Sequence, residues 1–544
     1  MKYSHKLKKL VAALALLGGS QAAHALTPWT PGNASPDVVV FTSGGAAQDS
    51  AIGLAIETSL AASGSLDIFT DSNGRFAAYY FIGGDNLTNS ALRGRKIVLV
   101  KRSRGAAGYG VVPLLGGIPL DHLDILKSGA NVESAWTNSI NSNGVPVHEV
   151  TLSSANASTY LTQRVSDGGF LGIDAAALLA PGTENYPDPV TELTTGQPTA
   201  NWQFDLTPEN LNQVDIIPTG GLVYGVGVTE DLYKVLQLAD IVLGKLPTSV
   251  PIGAYDEASL PSLNRNFIAA LLSGQIADWS DVKVFAPNLN ASVSLDDPVV
   301  IDFLNSIGVS ISAPTDYRVA VGRRNTGAAV GAVAHAKYLN YPFVTGSFPP
   351  ANPTPAANDA TAKPIVKAPG GTSATGRLLT DWQTGSNTSS FNNAGARYWG
   401  VAINSAVVNT GVRADGTGGQ PWRYVKIDGY APTIENVAAG TYPVWAEGEV
   451  LVRKDLTPDK FDLLSDFANA LGSSVTARLV NTGLRQAWGQ TGIFATTRTD
   501  PSAVPEVPFN VNNPVVGLNH GGLLGVAPTP FNNGASAGNI IQLK

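Results

Sequence analysis

The chain has 544 residues, 44% hydrophobic and only 14% charged, with 42 acidic against 35 basic side chains and a formal charge of −7. It is too long for one typical core, so two lobes or more are expected, and too apolar for a disordered chain. Cysteine is absent, which excludes disulfides, thiolate catalysis and thiolate metal sites. Basic clusters are also missing, so nucleic acid and anionic membrane surfaces are poor partners.

Residues 1–25 read as an export signal. Lys2, Lys6, Lys8 and Lys9 precede the apolar LVAALALLGG, and AHA at 23–25 forms a small-x-small cleavage site. Cleavage after Ala25 is expected, giving a periplasmic or secreted chain that begins at Leu26. The apolar run is too short for a membrane anchor, and no later segment supplies a longer one. His122, His148, His335 and His520 then remain, scattered and without metal-ligand spacing. No metal and no cofactor are expected.

VVVFTSGGAAQDSAIGLAIE, 38–57, reads as strand, small-residue turn and helix. The turn raises the question of what approaches its backbone so closely. An anion at the helix N-terminus is one answer; a tight turn capped by Thr42 or Ser43 is the other. GRFAAYYFI at 74–82 and KIVLVK at 96–101 read as further strands. From about 105 to 215 the pattern is irregular, with PGTENYPDP as its clearest loop. LVYGVGVT at 222–229 returns to strand, and EDLYKVLQLAD is helical. In PSLNRNFIAALLSGQIADWSDV, 261–282, a helix capped by Ser262 buries Phe267, Leu271 and Leu272 and stops at Gly274. DYRVAVGRRNTGAAVGAVAHAKYLN, 316–340, repeats the opening design and adds Arg323 and Arg324 at the strand end. Residues 346–376 read as a Pro-rich surface excursion. A strong helix spans 456–473, with Thr457 as cap and Pro458 at its first position.

Three of these stretches resemble the type II periplasmic solute-binding proteins, in their phosphate-binding branch. FIAALLSGQIADWSDV carries Gly274, Ile276, Trp279 and Asp281; VAVGRRNTGAAVGAV carries the strand, Arg324 and the turn Thr326-Gly327-Ala328. DGYAPTIENVAAGTYPVWAEGEVLV, 428–452, carries Pro432, Thr433, Glu435, Asn436, Gly440, Tyr442 and Pro443. The resemblance implies an α/β fold of two lobes joined by a hinge, with loop-rich insertions. It places lobe I at 26–240 (interrupted at about 105–215), lobe II at 241–405, a return to lobe I at 406–495 and a Pro/Asn-rich tail at 496–544. It also implies ligand donors from Thr42, Ser43, Gly44, Arg324, Thr326, Gly327 and Ala328. A carboxylate that meets a ligand proton is to be sought at Asp71 or Asp174, with Asp174 preferred. Ala328 puts a methyl where the family turn has a second hydroxyl. A hydrogen bond to a charged ligand is worth about 1.5–3 kcal/mol, so phosphate, another oxyanion and a carboxylate all stay open.

Enzyme signatures fail on context. GASAG at 534–538 matches Gly-x-Ser-x-Gly but has no strand before it and only NIIQLK after it. The pairs Asp296/Asp297 and Asp67/Asp71 read as solvated turns. Two function classes remain. The first is an exported binding protein for a small anion, with an ABC-type membrane transporter as implied partner. The second is an extracellular surface or matrix protein on the same fold, without a transport role.

Overall fold

Short strands separated by helices build two sheets that share one long strand. The computed structural model describes residues 26–517, apart from 34, 201, 203–205, 287–289 and 355–362. The expected export signal, the GASAG stretch and the tail from 518 onward lie outside the described residues.

In the first lobe, Val38–Gly44 lies parallel to Lys96–Arg102 on one side and to Gly168–Leu171 on the other. Phe76–Ile82, Asp67–Asp71 and Pro146–Val150 extend the sheet outward. On the inner side, Trp445–Arg453 pairs antiparallel with Gly168–Leu171 and with the sixteen-residue strand Val214–Thr229. The far half of that long strand pairs with Gly400–Ser405 and Trp422–Ile427. Ala320–Gly322 and Ile365–Lys367 then add in parallel to complete the second lobe. The fold is therefore α/β, in two lobes with a hinge. One connection is the long strand itself, whose pairing slips between Pro218 and Gly221; a bulge there bends it at the crossing. The chain returns through 428–444.

Both faces of the sheets are covered. Helix Pro458–Gly472 buries Leu463, Leu464, Phe467 and Leu471, with Phe467 edge-on to Phe170 at 5.4 Å. In the second lobe Trp279, Leu378, Leu379 and Trp382 are fully buried, and Trp279 Nε1 donates to the Trp399 carbonyl at 3.0 Å. Each such side chain contributes roughly 1.5–3 kcal/mol by leaving water. A separate cluster of Phe69, Tyr80, Trp136 and Tyr160 fills the opposite face of the first lobe.

Several expectations need correction. The 105–215 stretch is not structureless. It contains Leu120–Leu123, Thr137–Ile140, Pro146–Val150, Leu161–Arg164 and the central Gly168–Leu171. GGFL carries no β-branched residue, so its strand character comes from pairing on both sides. Helix Arg265–Leu272 is capped by Asn264, whose side chain accepts from Phe267 N, while Ser262 sits in a short strand. Trp422–Ile427, expected in the segment returning to lobe I, hydrogen-bonds within the second lobe's sheet. Asp67 and Asp71 are buried, not solvated. Asp297 accepts from Val299 N as the cap of helix Pro298–Ser306.

Candidate functional site

The turn after the first strand is tight because backbone packs on backbone. Gly44 has φ +133°, and a Cβ there would lie 2.1 Å from the Phe170 carbonyl oxygen. Thr42 Oγ1 donates to the Val100 carbonyl at 2.7 Å. Ser43 Oγ donates to the Tyr109 carbonyl at 2.8 Å and accepts from Ser166 Oγ. These hydroxyls hold the sheet to the loop beside it. The helix that follows, Asp49–Ala55, starts on its own carboxylate. Asp49 accepts from Ser103 Oγ and lies 3.4 Å from the buried ammonium of Lys101. Burial lowers the Lys101 pKa, with Asp49 opposing the shift.

The second turn differs. Strand Ala320–Gly322 runs into Arg323 and Arg324, and Gly327 at φ +70° leads through Ala328 to helix Ala329–Ala334. Arg323 Nη1 donates to the Ala351 carbonyl and lies 3.8 Å from Glu184 Oε1. Arg324 is only 7% exposed, and its Nε and Nη1 have no hydrogen-bond partner. Burial pushes its pKa down to about 10, against the influence of Tyr224 on the long strand. A guanidinium keeps its charge even so. The two turns do approach one another. A Cβ on Gly172 would lie 3.2 Å from Ala47 Cβ, 3.3 Å from Ala329 Cβ and 3.1 Å from the Tyr224 hydroxyl.

What lies across this cleft is part of the chain itself. Gly327 N donates to the Glu184 carbonyl at 3.1 Å, and Thr326 Oγ1 donates to Asp188 Oδ2 at 2.7 Å. Asn185 Oδ1 is 2.7 Å from His335 Nδ1, and burial with Glu184 nearby raises the Tyr341 pKa to about 12. Pro187 is wedged between Gly108 and Gly327, where a Cβ on either glycine would come within 2.5 Å of its ring. Gly108 N donates directly to Gly327 O at 2.8 Å, a backbone bond from lobe to lobe. Ala328 N is satisfied locally by Asn325 O. Unpartnered buried polar atoms gather where the two segments face each other: Glu184 Oε2, Asn185 Nδ2, the Tyr186 hydroxyl, Arg323 Nε, and Asn325 Oδ1, besides those of Arg324. Buried polar groups rarely stay unpaired in a dry interior.

Asp174 is 2% exposed. Its Oδ1 accepts from Ala176 N at 2.8 Å, and its Oδ2 has no partner. Burial raises its pKa to about 6, and Glu447 adds to the rise. Glu449, also buried, accepts from Ala175 N and is pushed well up by burial and by Asp174. Two carboxyls this close cannot both be charged without loss, so the pair retains a proton more readily than an isolated acid. The other candidate, Asp71, is spent on Arg75 Nε and on the backbone N–H groups of Arg75 and Phe76. Glu184, Asn185, Asp188, Tyr224 and Glu449 were not singled out from the sequence. The only signal was the acidic content of a loop classed by its prolines and glycine.

No family model matches the chain, and no curated protein matches it. Among solved structures it is similar to PstS from Borrelia burgdorferi, at 8% identity over 82% of this chain and 96% of that one, with a TM-score of 0.31. It is also similar to an ABC-type phosphate transport receptor from Vibrio cholerae, at 12% identity over 58% and 78%, with a TM-score of 0.27. A DING protein matches at 10% identity over 63% and 89%, with a TM-score of 0.30. At this divergence no residue role passes from them to this chain.

Proposed function

We propose that the chain is an exported solute-binding protein, not an enzyme, that holds a small oxyanion or carboxylate between its lobes. The carrying observation is Arg324, a buried guanidinium with Nε and Nη1 unpaired beside the hinge strand. An uncompensated buried cation is costly, and an anion that forms a bidentate contact removes the cost. Inorganic phosphate, sulfate and small carboxylates all fit that chemistry, and an ABC-type membrane transporter is the partner this reading implies. Among the described residues no helix is long and apolar enough to cross a membrane. The test is calorimetry of the mature chain with phosphate, sulfate and citrate. Arg324→Ala should weaken the binding anion by about 2–5 kcal/mol. Arg323→Ala should cost less, because that side chain is already held by the Ala351 carbonyl. Unchanged binding in Arg324→Ala would place the site elsewhere.

The second reading, a surface or matrix protein without transport, is favoured by the use of Thr326 and Gly327 as donors to the chain's own Asp188 and Glu184. Absence of heat with every anion would support it.

A further inference from the structure

We propose that the segment 183–199 is a built-in plug of the inter-lobe cleft, which an incoming anion must displace from the Arg324 turn. This rests on the anion-binding reading above and adds a regulation to it.

The segment is anchored on one side by a two-bond buried ion pair and on the other by single contacts. On the first lobe, Arg102 makes two bonds to Glu192, at 2.7 and 2.9 Å, and both side chains are almost fully buried. Thr194 N also donates to Asp121, and the Tyr109 hydroxyl accepts from Val190 N. Breaking a buried pair of this kind is strongly destabilising, so this end stays fixed. On the second lobe the contacts are single ones: a hydroxyl–carboxylate bond from Thr326 to exposed Asp188, a backbone bond from Gly327 to Glu184, Asn185 Oδ1 at 2.7 Å from His335 Nδ1, Pro187 packed against Gly327, and the long 3.8 Å approach of Glu184 to Arg323.

The plug presents anionic and carbonyl oxygens to the donors that an external anion would use. It leaves Arg324 unsatisfied, so an anion offering oxygens to both Arg324 and the turn has more to gain than the plug. Lifting 184–188 while Glu192 stays anchored would open that exchange.

The test compares the wild type, Asp188→Ala, and Asp188→Ala combined with Glu184→Gln. Calorimetry with inorganic phosphate and with citrate gives affinities, and hydrogen exchange reads the backbone of 183–190 with and without each anion. Release of one charge-assisted bond should tighten binding about tenfold. In the wild type, saturating anion should speed exchange in 183–190, the reverse of the protection a closing site produces. Equal or weaker binding in the variants, or protection of 183–190 by the anion, would overturn the plug and leave anion binding standing. No binding by any form would overturn the anion-binding reading, and the plug with it.

Discussion

Arg324 and Asp174 are opposite answers to burial. A guanidinium resists neutralisation, so Arg324 keeps its charge with its pKa lowered only to about 10. A carboxyl yields, and Asp174 moves up to about 6. The sign of its effect on stability follows. A carboxyl whose pKa is raised by folding binds its proton more tightly in the native chain, so its contribution is fully present at low pH and is lost as pH rises through about 6. Between about pH 4 and pH 7 the loss of this contribution lowers the melting temperature, against buried His122 and His335, whose lowered pKa values stabilise the fold as pH rises through the same window. Asp174→Asn keeps the acceptor for Ala176 N and should flatten that fall in part, because Glu449 still titrates. Thermal melts at a series of pH values read the difference directly. An unaltered slope would show that the Asp174 carboxyl does not carry the dependence.

The opening strand–turn–helix element shows how a close approach legible in the sequence is met by the chain's own backbone. Small residues at 42–47 signal a close approach, and there is one. The Phe170 carbonyl is one approaching group. Gly44→Ala combines a Cβ clash at 2.1 Å with a φ of +133° and should destabilise by about 3 kcal/mol or more. Gly45→Ala meets Ala107 less closely, its Cβ at 3.3 Å, Cα at 3.4 Å and N at 3.5 Å, and should cost about 1 kcal/mol. Denaturant titration of both variants checks the contrast. Helices with local punctuation were legible: Thr457 and Pro458 mark the start of Pro458–Gly472, although Thr457 makes no side-chain cap bond. Gly168–Leu171 was not legible, because a four-residue strand with two glycines has no period of its own.

For the whole molecule, the long strand and the 428–444 return set the axis about which the lobes can move, and the 183–199 segment holds them together. With the Gly108–Gly327 bond already formed across the cleft, phosphate should leave the wild-type radius of gyration unchanged. Asp188→Ala with Glu184→Gln should enlarge it, and saturating anion should restore it. Small-angle scattering of the two proteins measures this, and an unchanged radius in the double variant would show that the segment does not hold the lobes. Length pointed to more than one core, and local periodicity placed strands, helices and an arginine at a strand end, because these depend on near neighbours and on the size of a single core. The division into two lobes came from the resemblance of three stretches to a known family. Which polar groups are free was decided only by tertiary contacts. Whether Ser43, Thr326 or Arg324 has a partner depends on residues 66, 138 or more positions away, such as Tyr109 and Asp188, and no local pattern encodes a hydrogen bond over that separation.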